Sequence, residues 1–154
     1  TVSDFQPSKT TTSEVVRLAV IPMTRPDEGS TGEHDNSYAT QATMRSTGNG
    51  QLAETLVTHH WSNRFSHTIA AALADALGYQ TYCSVLENLS TKQSTKDCRQ
   101  LVLERGVGNG IYWLCALSVD QHCTICDSSF GKESQVFPTC TCGFEKHLDG
   151  PACE

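Results

Sequence analysis

QTYCSVLENLSTKQSTKDCRQLVLERGVGNGIYWLCALSV, residues 80–119, alternates apolar and polar side chains over much of its length. A period of two is the mark of a strand with one face covered. Residues 80–87 (QTYCSVLE), 99–105 (RQLVLER) and 111–119 (IYWLCALSV) are each expected as strands. Residues 106–110 (GVGNG) join the last two, and the pair Asn109-Gly110 suits a tight hairpin because both residues tolerate positive φ. On 111–119, Ile111, Trp113, Cys115, Leu117 and Val119 share one face, and Tyr112, Leu114 and Ala116 share the other. Both faces should then be at least partly covered.

Upstream lies the best helix. Ser62 is placed to cap it, Gly78 to end it, and Phe65, Ile69, Leu73 and Leu77 recur every four residues on one face. Residues 51–60 (QLAETLVTHH) set Leu52 and Leu56 on a helical stripe and read as a first helix or an extension of the second. Residues 14–21 (EVVRLAVI) are β-branched and almost continuously apolar up to Pro22, as in a well-covered strand, with Arg17 as the only interior charge, expected at an edge or paired. Residues 24–50 carry Pro26, Gly29, Gly32, Gly48 and Gly50 and read as a long loop, with a short strand at 38–44. Residues 1–13 are polar and rich in Thr and Ser, as expected of a flexible segment left after removal of a leader.

The expected fold class is therefore α+β: an antiparallel sheet of about four strands with one or two helices packed on it. The expected domains are a flexible segment 1–13, an α+β domain 14–119 and a cysteine-rich extension 120–154.

All eight cysteines fall between Cys83 and Cys153: Cys83, Cys98, Cys115, Cys123, Cys126, Cys140, Cys142 and Cys153. An even number at this density in a chain of 154 residues reads first as four disulfides formed in an oxidising compartment. Hydrophobic residues make up only 38%, so cross-links would matter to stability. Secretion is the expected location, and the triplet Asn88-Leu89-Ser90 is a glycosylation sequon consistent with it. A net charge of -6, with scattered basic residues, excludes a nucleic-acid scaffold. No apolar run is long enough for a membrane-spanning helix.

The last residues, CTCGFEKHLDGPACE (140–154), have a C-x-C pair, an aromatic residue, a glycine before the last cysteine and a closing Glu. This ending resembles that of an epidermal-growth-factor-like module, and counting Cys115 first gives six cysteines over 115–154. The pattern departs from the family in placing Cys115 in a core strand and only two residues between Cys123 and Cys126. The resemblance implies an extracellular protein-interaction module without catalysis. More broadly, the chain resembles small secreted cysteine-rich effectors and extracellular ligands.

Two other readings use the same tail. Cys123-x2-Cys126 has metal-knuckle spacing, and Cys140-x-Cys142 with His122 or His147 would complete four zinc ligands. The second pair is C-x-C where a knuckle has C-x2-C, and Cys83, Cys98, Cys115 and Cys153 are left over. The first expectation is thus no metal and no cofactor. The enzyme alternative resembles a small secreted guanyl-specific ribonuclease, with Glu87, Glu104, Arg105 and His122 on or just after the strands. Glu87 and His122 would be base and acid, with an arginine on the phosphorane charge. His59, His60 and His67 gather around the helix start, but no HExxH arrangement is present. The chain also lacks GxSxG and a phosphate loop.

The sequence points to a secreted disulfide-rich protein that binds a protein partner, extracellular or of a host. Tyr38 and Trp61 are the aromatic contact candidates, and no catalytic residue is expected.

Overall fold

The computed structural model describes residues 5–25, 37–126, 140 and 142. Helices are α1 (Thr12–Val15), α2 (Ile21–Met23), α3 (Tyr38–Thr47), α4 (Phe65–Ala76), α5 (Cys83–Asn88), α6 (Lys92–Glu104) and α7 (Cys115–Ser118), with a π-helical turn, Val16–Val20, between α1 and α2. Two three-residue strands, β1 (Thr55–Val57) and β2 (Tyr112–Leu114), pair in parallel with Leu56 opposite Trp113. The chain forms two compact units: residues 1–15 with 52–114, and residues 16–51 with 115–154.

Among the described residues the antiparallel sheet expected from the sequence is absent, and local chemistry explains why. Residues 14–21, expected as a strand, are helical because Thr11 and Glu14 form a reciprocal capping box. The Glu14 amide donates to Thr11 Oγ1 at 3.2 Å, and the Thr11 amide donates to Glu14 Oε2 at 2.7 Å. Residues 38–44, expected as a strand, belong to α3. Ser37 caps that helix by accepting from the Thr40 amide at 3.2 Å, and Gly48 closes it at φ 74°.

The expected strands 80–87 and 99–105 are also helices, α5 and α6. Thr91 starts α6 with a second capping box, its Oγ1 accepting from the Ser94 amide at 3.1 Å while Ser94 Oγ accepts from the Thr91 amide at 3.3 Å. From that start Cys98, Leu101 and Val102 fall on one helical face and Leu103 is left exposed. The apparent alternation of 99–105 is only a fragment of this longer period. Gly106, at φ 67°, ends the helix, and residues 106–110 lead from α6 to β2 and form no hairpin. Strand character survives only at 112–114, because the backbone turns helical at Cys115. Residues 51–60, read as helical, contain β1 instead.

The first unit is built on α4, which packs on α5, with α5 packed on α6. Its core is Ala70, Ala74, Leu77, Val85 and Cys98, covered by Leu73, Tyr79, Leu86, Leu89, Leu101, Val102 and Val107. The small side chains Ala70 and Ala74, one turn apart, form the innermost stripe of α4. Phe65, Ile69 and Leu73 lie beside it, half-buried. Arg64 stands at the N-cap without a side-chain cap bond, and Ser62 instead contacts the His60 ring, Oγ to Nδ1 at 2.7 Å. Gly78 follows the helix at φ 71°.

In the second unit α7 packs on α3 and on the π-helical turn. Among the described residues of this unit, Val16, Val20, Ile21, Ala116 and Cys126 are the buried apolar ones.

The disulfide framework is also overturned. No pair of described cysteines stands at disulfide distance, and Cys126 and Cys142 come only to 3.6 Å between sulfurs. A disulfide needs about 2.05 Å.

Candidate metal centre

The second unit gathers four soft or borderline donors at one point. One donor atom from each of His122, Cys126, Cys140 and Cys142 lies within 4.8 Å of every other. His122 is fully buried, Cys126 is buried, and Cys140 and Cys142 are half-buried. His122 lies in a turn over residues 121–125, and Cys126 follows it directly. The Cys126 thiol approaches the His122 carbonyl at 3.5 Å across that turn, which brings the side chains of residues four apart to one side. The Cys140 amide then donates to the Cys126 carbonyl at 3.2 Å and ties the C-x-C pair to the same place.

The imidazole is held in a single useful tautomer. Its Nε2 lies 3.1 Å from the Ile21 carbonyl, which can only accept, so Nε2 carries the proton. Thr24 Oγ1 lies 3.3 Å from the same nitrogen and itself donates to the Val20 carbonyl at 2.9 Å. In the neutral ring Nδ1 is therefore the bare nitrogen, and it faces the Cys140 sulfur at 3.4 Å. Metal-binding histidines are oriented in this way, by donating the other ring N–H to a carbonyl. Below the ring, the Asp120 carboxylate accepts from the His122 amide at 2.8 Å, and the Gln121 side chain donates to the Cys115 and Val119 carbonyls, each at 3.2 Å.

The spacings suit one ion. Around a tetrahedral zinc, with Zn–S of about 2.3 Å and Zn–N of about 2.1 Å, neighbouring sulfurs lie about 3.8 Å apart and a sulfur–nitrogen pair about 3.6 Å apart. The observed 3.6 Å between Cys126 and Cys142 and 3.4 Å between Cys140 and His122 are close to those edges. A His/Cys3 set is a common structural zinc set.

The tail reading of the sequence is corrected in one respect: His122, and not Cys123, stands with Cys126 at the site. Cys123 is half-buried on the same turn and is outside the donor group. His122, already a candidate ligand from the sequence, takes the place that the C-x2-C spacing gives to Cys123. Cys83 is exposed on α5, Cys98 is buried in α6, and Cys115 begins α7. Burial raises the Cys98 thiol pKa above its ordinary value. Cys153 and His147, with most of the growth-factor-like ending, lie outside the described residues.

The ribonuclease candidates are divided between the units, with Glu87, Glu104 and Arg105 in the first and His122 in the second. Glu87 is exposed on α5, while His122 is enclosed with both ring nitrogens facing groups of the second unit. Glu104 accepts from the Gln100 side chain at 3.0 Å on the exposed side of α6, and Arg105 lies over the Tyr79 ring at 5.5 Å. His67 and Tyr82 meet edge to face, with ring centroids 5.7 Å apart. His59, half-buried near β1, has its pKa lowered by burial, offset in part by the Val57 backbone. Of the aromatic contact candidates, Tyr38 is half-buried at the start of α3 and Trp61 half-buried in the turn before α4. No helix among the described residues is long and apolar enough to cross a membrane.

Comparison of the chain with protein-family models, curated proteins and solved structures finds no match.

Proposed function

We propose that this chain is a zinc-stapled interaction domain, in which His122, Cys126, Cys140 and Cys142 hold one Zn²⁺ as a closed structural centre. The observation that carries the reading is the convergence of four donor atoms within 4.8 Å, one of them the Nδ1 of a fully buried imidazole. Four protein ligands fill a tetrahedral zinc and leave no position for water or substrate, so the metal acts on folding and not on chemistry. A closed zinc centre adds its binding free energy to the folding of the second unit. What remains for function is surface, and binding a protein partner is the activity that fits. The secreted location expected from the sequence rested on disulfides, and three thiolates committed to zinc withdraw that support.

The test is metal content and its structural consequence. Protein purified under reducing conditions with zinc present should carry one zinc per chain, and Co²⁺ substitution should give the absorption of tetrahedral thiolate ligation. A chelator should unfold the second unit while the first keeps its amide protection. Protein that holds no zinc and is equally folded with or without chelator would sink the reading.

A further inference from the structure

Arg17 is an anomaly that the metal reading resolves. It sits in the π-helical turn of the second unit, only 8% exposed. Its Nη1 donates to the Ile125 carbonyl at 2.6 Å, while its buried Nε has no hydrogen-bond partner. No carboxylate pairs with it among the described residues. Guanidinium is charged at any ordinary pH, and a buried charge without a counter-charge is strongly disfavoured.

Ile125 is the residue before Cys126. Bond lengths alone keep the guanidinium that holds the Ile125 carbonyl within about 8 Å of the Cys126 sulfur. Zinc with three thiolates and a neutral imidazole carries one net negative charge. We infer that Arg17 is the built-in counter-charge of the zinc–thiolate centre, a positioning residue that couples metal occupancy to the stability of the second unit. This rests on the zinc reading of the same four ligands and extends it. The attraction is reciprocal: the loaded centre stabilises the buried cation, and the cation favours the anionic loaded centre over neutral thiols. The hydrogen bond to the Ile125 carbonyl also fixes the backbone entering Cys126. Opposite charges about 8 Å apart, at an effective dielectric of about 20, correspond to roughly thirtyfold in affinity.

The experiment uses the full chain and competition against a chromophoric zinc chelator. Wild type, Arg17→Met and Arg17→Lys are measured in the native ligand set and in a Cys142→His background. That background keeps four ligands but makes the loaded centre neutral. Arg17→Met should weaken zinc binding about thirtyfold, Arg17→Lys should recover most of the loss, and in the Cys142→His background Arg17→Met should have little effect. Wild type that binds no zinc sinks the zinc reading itself. Wild type that binds one zinc, with Arg17→Met of equal affinity, overturns the role of Arg17 alone. A loss of the same size in both backgrounds, or no recovery with lysine, also overturns it, because the side chain would then act through packing and not charge.

Discussion

His122→Ala and Cys123→Ser separate the site in the structure from the site suggested by spacing. A C-x2-C knuckle would use Cys123 and Cys126, whereas the structure uses His122 and leaves Cys123 out. Structural zinc sites bind with about 10–16 kcal/mol at neutral pH. Shared evenly among four ligands, that is about 2.5–4 kcal/mol for each, or roughly a hundredfold to a thousandfold in affinity. His122→Ala also removes the N–H donated to the Ile21 carbonyl and empties the volume of a side chain that is 0% exposed. The loss should therefore reach the upper end of that range, and the second unit should be less stable even without metal. Cys123→Ser removes a half-buried thiol outside the donor group and should leave zinc affinity within about threefold of wild type, a change worth less than about 0.7 kcal/mol. Chelator competition gives both affinities, and thermal unfolding with and without zinc gives the stability change. Retention of zinc by His122→Ala together with its loss in Cys123→Ser would refute the assignment.

Two further outcomes follow from the described geometry. Under native, non-reducing conditions with zinc bound, the exposed Cys83 should be alkylated first and Cys98 last among the described cysteines outside the metal site, since Cys98 is buried with its thiol pKa raised. Mass spectrometry reads the order, and a wild-type mass short by eight hydrogens would restore the disulfide framework in place of the metal. Tyr112 donates to Asp75 at 2.9 Å, and burial, then that hydrogen bond and the charge of Asp75, raise its pKa above the ordinary 10.0. A raised folded pKa favours the protonated form, so this contribution is intact below the unfolded value and fades as pH rises through the folded one. Denaturant unfolding should show the first unit losing stability above about pH 10, with a shallower fall in Tyr112→Phe, and identical slopes would refute the pairing.

What the sequence disclosed divides by the range of the interaction. The helix ending near Gly78 was legible because its apolar positions recur over three turns and its stop is a glycine at positive φ. The capping boxes Thr11-x2-Glu14 and Thr91-x2-Ser94 are equally local signals, but they begin ahead of the apolar runs 14–21 and 99–105 whose strand-like pattern they override. A seven-residue window such as 99–105 cannot separate periods of 2 and 3.6, whereas the thirteen residues of α6 can. The parallel pairing of β1 with β2 joins residues more than fifty positions apart, and nothing local in TLV or YWL announces it. The metal centre was half legible: Cys126, Cys140, Cys142 and His122 were all candidates, but choosing His122 over Cys123 needed the turn at 121–125.

Disulfides and a metal answer the same physical need in a cysteine-rich segment, a cross-link between distant parts of the chain. His122 distinguishes them here. In a disulfide framework a fully buried imidazole serves no cross-link, and it must still satisfy two ring nitrogens away from water. The Ile21 carbonyl satisfies Nε2, and Nδ1 is directed at the Cys140 sulfur with Cys126 and Cys142 alongside. A disulfide between Cys126 and Cys142 would draw their sulfurs from 3.6 Å to about 2.05 Å and leave Cys140 and the imidazole only each other, at 3.4 Å. One zinc accommodates all four donors close to their present spacing. With zinc bound as proposed, the centre would also supply a negative charge near the buried Arg17, which no described carboxylate pairs with, so the enclosed imidazole and the buried guanidinium would share one cause.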